Sequence, residues 1–330
     1  MTNATVPLID IAPFLEGSPA GRRKVARAVA DACEDIGFFA ITGHGVSPDV
    51  IKRLRRLSHD FFELPEAEKA KAIHPVPGTP RGHRIFAGEA LGKTTGADAP
   101  ADFKEFYHFS RDDWPDDNYH CGEEGRRYFI PNIWPVRPAG FADAAMDFYR
   151  ETEKLSFIMM RIAALALDLP EDFFQDKLNE HVTAMRINHY PAELPAAAAG
   201  QIRAGAHTDY GLMTLLMGEQ APGGLEVRTR SGDWIKVETR PEIFVINVGD
   251  LLMRWTNDIW VSNSHRVVNP PSGTKLSQGR ISIGFFQQPN YDAVIECIPS
   301  CSGPGNPPRY APVRSGDYRD VKYEAAEIAS

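Results

Sequence analysis

The chain has 330 residues, of which 43% are hydrophobic, and this is enough to bury a sizeable core. The formal net charge of −8 argues against a nucleic-acid partner. The most apolar helical stretch, residues 157–169, is too short to cross a bilayer and contains Arg161. No basic and apolar leader opens the sequence, so we expect a cytoplasmic protein with a small-molecule partner and no membrane attachment. The sequence does not indicate an oligomeric state.

The first half of the chain alternates short strands with helices. Apolar residues at helical spacing predict helices over residues 22–36, 48–62 and about 140–167. Short apolar runs predict strands at residues 6–10 and 38–41. Residues from about 74 to 103 are rich in Pro, Gly and Ala, and we expect a long surface loop that acts as a lid.

After residue 180 the pattern changes to many short strands separated by turn residues. The predicted strands cover residues 184–189, 213–217, 225–227, 234–237, 243–248, 260–268 and 280–287. Such a succession is typical of a β-sandwich or a barrel. Residues 195–200 are low in complexity, and we expect a mobile loop and a second lid there.

Three residues in this β-rich half have the chemistry of a metal site. His207 and Asp209 are two positions apart in strand-like sequence, so their side chains project to the same side. His265 lies in another predicted strand and supplies a third ligand. Two histidines and one carboxylate with open positions are typical of Fe(II) oxygenases. Zinc hydrolases also use this ligand set, but the helical HExxH motif is absent.

Polar residues recur at alternate positions on two further strands. Arg280 and Ser282 form one such pair, and Asn188 and Tyr190 form another, with Arg186 on the same face. Buried polar groups without partners cost about 1–3 kcal/mol each, so this face must satisfy them with a ligand. The guanidinium of Arg280 suits a carboxylate, and the Ser282 hydroxyl adds a hydrogen bond. For Arg280 the alternative is a structural salt bridge. For the metal residues the alternative is that His207 and Asp209 lie in a surface turn and that His265 is an unrelated core histidine.

The sequence resembles the isopenicillin N synthase-like group of 2-oxoglutarate-dependent oxygenases over about residues 6–320. The resemblance rests on these segments: Asn188-His-Tyr-Pro191, Arg203-Ala-Gly-Ala-His207-Thr-Asp209-Tyr-Gly211, Asn247-Val-Gly-Asp-Leu251, Ser264-His265-Arg-Val267 and Arg280-Ile-Ser282. Near the N-terminus, Val6-Pro-Leu-Ile-Asp10, Gly37-Phe-Phe39 and Gly43-His-Gly45 also fit. Within the group, the sequence is most similar to thymine hydroxylases and hormone oxidases.

The resemblance implies a mainly β fold with flanking helices, in which a double-stranded β-helix, or jelly roll, carries an N-terminal α/β extension. It implies Fe(II) bound by His207, Asp209 and His265, with O2 as oxidant. It also implies 2-oxoglutarate bound by Arg280 and Ser282, helped by Tyr190 and Asn188. His189 replaces the first tyrosine of the plant-type Asn-Tyr-Tyr-Pro motif but falls on the opposite parity, so we expect no effect on the co-substrate.

Two residues are candidates for substrate contact. Phe286 has the parity of Arg280 and Ser282, and with Arg186 it can hold a flat, polar, unsaturated molecule. The alternatives are core packing for Phe286 and a pair with a carboxylate such as Asp209 or Asp250 for Arg186.

The resemblance also implies how the chain divides and what it does. We expect one integrated domain with an N-terminal region (1–120), a helical support (121–180), a jelly-roll core (181–300) and a C-terminal tail (301–330). The expected activity is hydroxylation of a small organic molecule with release of succinate and CO2. The alternatives are a 2-oxoglutarate-independent oxidase of the isopenicillin N synthase type and a non-catalytic binding protein.

Overall fold

A computed structural model describes residues 5–95, 100–193 and 200–326 of the chain. Its helices are α1 (Ala12–Leu15), α2 (Pro19–Asp35), α3 (Pro48–Phe62), α4 (Glu66–Lys69), α5 (Asn118–Cys121), α6 (Phe141–Ala166), α7 (Asp250–Trp255) and α8 (Ser315–Ala326). Its strands are β1 (Leu8–Asp10), β2 (Phe38–Thr42), β3 (Gly82–Arg84), β4 (Glu105–Ser110), β5 (Ala184–Tyr190), β6 (Ala204–His207), β7 (Met213–Gly218), β8 (Gly224–Arg228), β9 (Trp234–Lys236), β10 (Phe244–Val248), β11 (His265–Val268), β12 (Arg280–Phe286), β13 (Val294–Ile295) and β14 (Val313–Arg314).

Two sheets, antiparallel except for the β1–β2 pair, form the centre of the molecule. The larger has the order β1-β2-β10-β7-β12-β5-β4-β3, and the smaller has the order β6-β11-β8-β9. Apolar residues of both sheets pack together between them, among them Phe38, Val245, Leu225, Val227 and Val267. The predicted double-stranded β-helix with flanking helices is confirmed.

The other face of the larger sheet is covered by helices. The long helix α6 packs against α2 and α3 and lies over β7 and β12. Ile281, Ile283 and Phe285 of β12 point to this side and are fully buried in the main apolar core. Burying one such side chain stabilises the fold by about 1.5–3 kcal/mol. Among the described residues, no helix is long and apolar enough to cross a membrane.

The pairing of β12 with β5 sets which residues face the space between the sheets. Arg280 is opposite Tyr190, and Ser282 is opposite Asn188. Because side chains alternate along a strand, the residues between them face the helices. His189 is one of these: its ring stacks on Phe62 at 4.8 Å, and its Nδ1 lies 2.9 Å from Glu105 Oε1. The predicted parity of both strands is confirmed.

One predicted strand is too long. Residues 260–268 were expected to be extended, but β11 begins only at His265. The preceding residues form a turn after α7, in which Asn257 and Asp258 have positive φ. The Thr256 hydroxyl accepts a hydrogen bond from the amide of the fully buried Trp260. The apolar residues that suggested a strand at this point are therefore core residues of a turn.

Two segments have more regular structure than expected. The loop predicted over residues 74–103 contains β3 and a short 3-10 helix, Leu91–Thr95. The segment named a C-terminal tail contains α8, which contacts that 3-10 helix. Of the second expected loop, residues 195–199 lie outside the described part of the chain.

Candidate active site

His207, Asp209 and His265 come together at one end of the space between the sheets. His207 ends β6, His265 begins β11, and the two residues are register partners. Asp209 Oδ1 lies 3.9 Å from His207 Nε2 and 3.8 Å from His265 Nε2. One donor atom from each residue lies within 4.8 Å of the others, and all three residues are buried. A single metal ion can therefore lie among them, with donors of the 2-His-1-carboxylate type.

Hydrogen bonds to the backbone orient both imidazoles. His207 Nδ1 is 2.7 Å from the carbonyl oxygen of Gly205, and His265 Nδ1 is 3.2 Å from that of Asn263. A carbonyl only accepts, so each Nδ1 carries the proton and donates it. Each Nε2 then keeps its lone pair toward the centre of the triad, as a metal ligand requires.

The carboxylate of Asp209 is oriented in the same way. Thr214 Oγ1 and Asn247 Nδ2 donate to Asp209 Oδ2 over 2.6 and 2.7 Å. Thr214 and Asn247 are register partners on β7 and β10. Because both bonds reach Oδ2, Oδ1 is left facing the two histidines. No sequence pattern distinguishes Thr214 or Asn247 as a partner of Asp209, although Asn247 opens one of the segments that carry the resemblance.

The charge states of the triad suit a divalent cation. Burial and the neighbouring His265 lower the pKa of His207, so its imidazole is neutral at pH 7. Burial alone raises the pKa of Asp209, but the two histidines, Thr214 and Asn247 outweigh it, so the net shift is downward and the carboxylate is ionised. The ionised carboxylate and the neutral His207 imidazole leave the centre attractive to a positive ion.

Arg280 lies in the same cavity without an acidic partner. No carboxylate among the described residues is within ion-pairing distance of it, and its Nε and Nη2 atoms are buried without hydrogen-bond partners. Its guanidinium carbon is 4.3 Å from the centre of the Tyr190 ring. Asn188 Oδ1 is also buried and unpartnered. Since an orphaned charged donor is costly, the Arg280 guanidinium fits an anionic ligand that accepts from it, whereas Asn188 Oδ1 needs a donor.

The metal residues and Arg280 line one cavity, and other residues line it as well. Its volume is about 110 Å³, several times the roughly 15 Å³ that one water needs. Besides the predicted site residues, it is lined by Glu89, Leu91, Lys104, His108, Tyr210, Gln288 and Tyr323, among others. All nine residues predicted for the metal, co-substrate and substrate line this one cavity.

Arg186 is paired with a carboxylate, as the alternative allowed, but the partner is Glu89. Its Nη1 is 3.0 and 2.9 Å from the two carboxylate oxygens of Glu89, so the partner is neither Asp209 nor Asp250. Asp250 instead bonds to Ser262, Tyr318 and Lys322. The guanidinium of Arg186 also lies over the Phe106 ring at 4.1 Å and near Phe286 at 5.8 Å.

Several of these lining residues gave no signal in the sequence. Glu89 lies in the Pro- and Gly-rich stretch, whose composition predicts only a loop, and Tyr323 lies in the segment named a tail. Tyr210 follows Asp209 in one of the quoted segments, and its hydroxyl is buried without a partner. Its adjacency to the metal motif was the one available signal.

Two family models match the chain in its two halves. Residues 6–137 match the N-terminal region of the non-haem dioxygenases in morphine synthesis, and residues 182–289 match the 2OG-Fe(II) oxygenase superfamily. The fold and the buried triad thus define a non-haem iron oxygenase.

Individual relatives agree over nearly the whole length. The 2-oxoglutarate-Fe(II) type oxidoreductase hxnY of Emericella nidulans is 32% identical over 322 residues, which are 96% of this chain and 89% of that protein. A homoarginine-6-hydroxylase of Arabidopsis thaliana is 32% identical over 88% of this chain and 79% of its own. The crystal structure of the full-length Neurospora crassa thymine hydroxylase with alpha-KG superposes with a TM-score of 0.85 at 30% identity, covering 98% of both chains.

The chain belongs to the 2OG-Fe(II) oxygenase superfamily. It is an oxidoreductase that uses Fe(II) and 2-oxoglutarate. The relatives favour neither of the alternatives, the 2-oxoglutarate-independent oxidase or the non-catalytic binding protein.

Proposed function

We propose that His207 Nε2, Asp209 Oδ1 and His265 Nε2 hold the Fe(II) ion. The support is that each of the three atoms is left free by a hydrogen bond to the other nitrogen or oxygen of its own side chain. When bound, Fe(II) with 2-oxoglutarate supplies O2 activation, in which the keto acid becomes succinate and CO2. The protein holds the three ligands in place and keeps the centre away from bulk water.

The same proposal assigns the co-substrate to the β5–β12 pair. Arg280 donates to the distal carboxylate of 2-oxoglutarate, Ser282 adds its hydroxyl, and Tyr190 packs against the guanidinium. Asn188 assists from the position opposite Ser282. The observation that carries this assignment is the buried Arg280 whose Nε and Nη2 have no partner in the protein. A carboxylate of 2-oxoglutarate bound in this cavity would supply the missing partner of Arg280.

The overall reaction we assign is hydroxylation of a small organic molecule. One oxygen atom of O2 enters the substrate and the other enters succinate, while CO2 is released. Support for hydroxylation comes from the relatives named as hydroxylases. Support for a small substrate comes from the enclosed cavity, and from a structure of the N. crassa enzyme in complex with thymine. Arg186 and Phe286 line the same cavity, and the proposal assigns them to the substrate.

Succinate formation from 2-oxoglutarate tests the proposal. Purified protein with Fe(II), ascorbate and O2 is expected to release succinate slowly alone, and faster when a screened compound is a substrate. His207→Ala is expected to abolish both rates. Asp31→Asn, which removes an exposed carboxylate on α2, serves as a folded control with its activity retained. Equal succinate release by wild type and His207→Ala would contradict the proposal.

A further inference from the structure

A buried network of four charged side chains lies beside the metal residues, and three of its members, Glu89, Lys104 and Arg186, line the cavity. Arg186 is bonded to Glu89, whose Oε2 lies 2.9 Å from Lys104 Nζ. Lys104 Nζ is also 3.1 Å from Asp102 Oδ2. We call these four residues the Glu89 network. They contribute two positive and two negative charges, so the network is neutral within itself.

The network is buried unevenly, and this sets which members meet a ligand. The side chains of Lys104 and Asp102 are 3% and 2% exposed, whereas those of Arg186 and Glu89 are 14% and 13% exposed. Asp102 is also bonded to the backbone amides of Leu91 and Gly205. Lys104 and Asp102 therefore anchor the network, and Glu89 and Arg186 are its more accessible members, an adjacent acceptor and donor that both line the cavity.

The charges of the network are firmly held. Burial raises the pKa of Glu89, but Arg186 and Lys104 outweigh it and bring the value to about 2. Burial lowers the pKa of Lys104, but Asp102 and Glu89 raise it by more, so the net shift is upward. His108 beside them is neutral, because burial and Arg186 lower its pKa. Within the Glu89 network, therefore, no charge is left unpaired at neutral pH to compensate a charged ligand.

Hydrogen-bonding capacity remains on the network. The two bonds to Glu89 both come from Arg186 Nη1, and Arg186 Nε is buried without a partner. Glu89 Oε2 already accepts from both Arg186 and Lys104, whereas Oε1 accepts only from Arg186 and can accept a second bond. The Tyr210 hydroxyl is a further buried group without a partner. A ligand with an N–H beside a C=O can bond to Glu89 and Arg186 at once without adding charge.

We propose that the Glu89 network selects uncharged substrates that present an amide-like edge, and that Glu89 and Arg186 are its specificity-determining residues. The inference rests on the proposed function, because it assigns the substrate of the same site. A carboxylate ligand would meet Glu89 as a like charge, and a cationic ligand would meet Arg186. Like charges juxtaposed in a buried site cost several kcal/mol.

Three isosteric probes test the selection: benzamide, benzoate and benzamidine, which are neutral, anionic and cationic. Binding is measured by anaerobic calorimetry on the holoenzyme with Fe(II) and 2-oxoglutarate. Wild type is expected to bind benzamide at least tenfold more tightly than either charged probe. Equal or tighter binding of a charged probe overturns the proposal, and so does failure of all three to bind, since the amide edge is the proposed recognition element.

Two substitutions sharpen the test by unbalancing the network in opposite directions. Glu89→Gln leaves a surplus positive charge and is expected to raise the relative affinity for benzoate at least tenfold. Arg186→Gln leaves a surplus negative charge and is expected to do the same for benzamidine. Asp31→Asn, which removes an exposed negative charge on α2, is the control and should leave the order unchanged. Unchanged order in both cavity variants, with folding verified by circular dichroism, overturns the proposal.

If either cavity variant fails to fold, the wild-type affinities decide alone. The same titrations distinguish failure of the specificity assignment from failure of the proposed function. Binding of Fe(II) and 2-oxoglutarate with the wrong probe order removes only the specificity assignment. Loss of 2-oxoglutarate binding in wild type removes the proposed function and this inference with it.

Discussion

Two sides of one cavity satisfy their polar groups in opposite ways. On the co-substrate side, formed by β5, β6, β11 and β12, the Arg280 guanidinium and the Asn188 carbonyl are buried without full sets of partners. On the substrate side, formed by the Glu89 network, every charged side chain is paired within the protein. The first side needs a charged ligand to complete it, whereas the second is already balanced.

This difference separates the chemistry from the choice of substrate. The co-substrate side is formed by paired strands, whose register fixes the relative positions of its residues. The substrate side shares β5 and β12 through Arg186 and Phe286, but it also draws Glu89 from the connection between β3 and β4 and Tyr323 from α8. Such segments can vary in sequence while the sheet stays the same.

The largest effect is expected at the metal ligands. Asp209→Ala removes the one anionic donor of the triad, and we expect a loss of more than about 100-fold in Fe(II) affinity, since even partners of metal ligands contribute 10–100-fold. Iron content after anaerobic reconstitution and succinate formation would both measure it. Retained iron at wild-type stoichiometry would show that the metal lies elsewhere.

Arg280→Ala is expected to act on the co-substrate alone. Losing a buried hydrogen-bonded charge pair costs about 2–5 kcal/mol, so the KM for 2-oxoglutarate should rise by about 30-fold or more. Fe(II) affinity should stay within about twofold of wild type. Arg280→Lys should recover only part of the loss, because an ammonium lacks the planar fork. An unchanged KM in the alanine variant would remove Arg280 from this role.

The partners of Asp209 should give an intermediate effect. Asn247→Ala and Thr214→Val each remove one donor to Asp209 Oδ2. We expect Fe(II) affinity to fall by about 10–100-fold in each, measured by competition with a chelator. The KM for 2-oxoglutarate, measured at saturating Fe(II), should change much less. A change in KM as large as that of Arg280→Ala would mean that the two functions are not separable.

The smallest effect on activity is expected at a carboxylate behind the co-substrate side. Glu219 accepts bonds from Arg55 and the amide of Ile281, and lies 3.1 Å from His59 Nε2, so it ties α3 to β12. Glu219→Gln should lower the free energy of unfolding by about 1–3 kcal/mol at pH 7. The KM for 2-oxoglutarate should change by less than about threefold.

The pH dependence of that stability difference has a fixed sign. Burial raises the pKa of Glu219, but His59, the Ile281 amide and Arg55 outweigh it and lower the value from 4.5 to about 2. A lowered carboxyl pKa stabilises the fold above pH 4.5, and the contribution is lost as the pH falls toward 2. Urea unfolding of wild type and Glu219→Gln should therefore converge below pH 4.5. A gap that widens on acidification would contradict this account.

The two sides of the cavity also differ in how far the sequence predicts them. Residues two apart on a strand must share a face, so His207 with Asp209 and Arg280 with Ser282 could be grouped before any coordinates were known. Turn residues between apolar runs predicted most strand positions, because strand ends also depend on local sequence.

The substrate side depends on contacts between residues far apart in the chain. The bonds between Arg186 and Glu89 join positions 97 residues apart, and no local pattern in a Pro- and Gly-rich stretch indicates them. The turn before β11 was missed because its apolar residues pack like those of a strand. Its backbone is instead satisfied by the Thr256 hydroxyl, which periodicity does not indicate.

An anaerobic titration of the protein with Fe(II) and 2-oxoglutarate tests the central claim most directly. Chelation of the ferrous ion by the keto acid gives a visible charge-transfer band. Wild type should develop this band at one equivalent of each. Arg280→Ala should require far more 2-oxoglutarate to reach it, and Asp209→Ala should not develop it. A band of wild-type intensity and affinity in Asp209→Ala would show that these three side chains do not hold the iron.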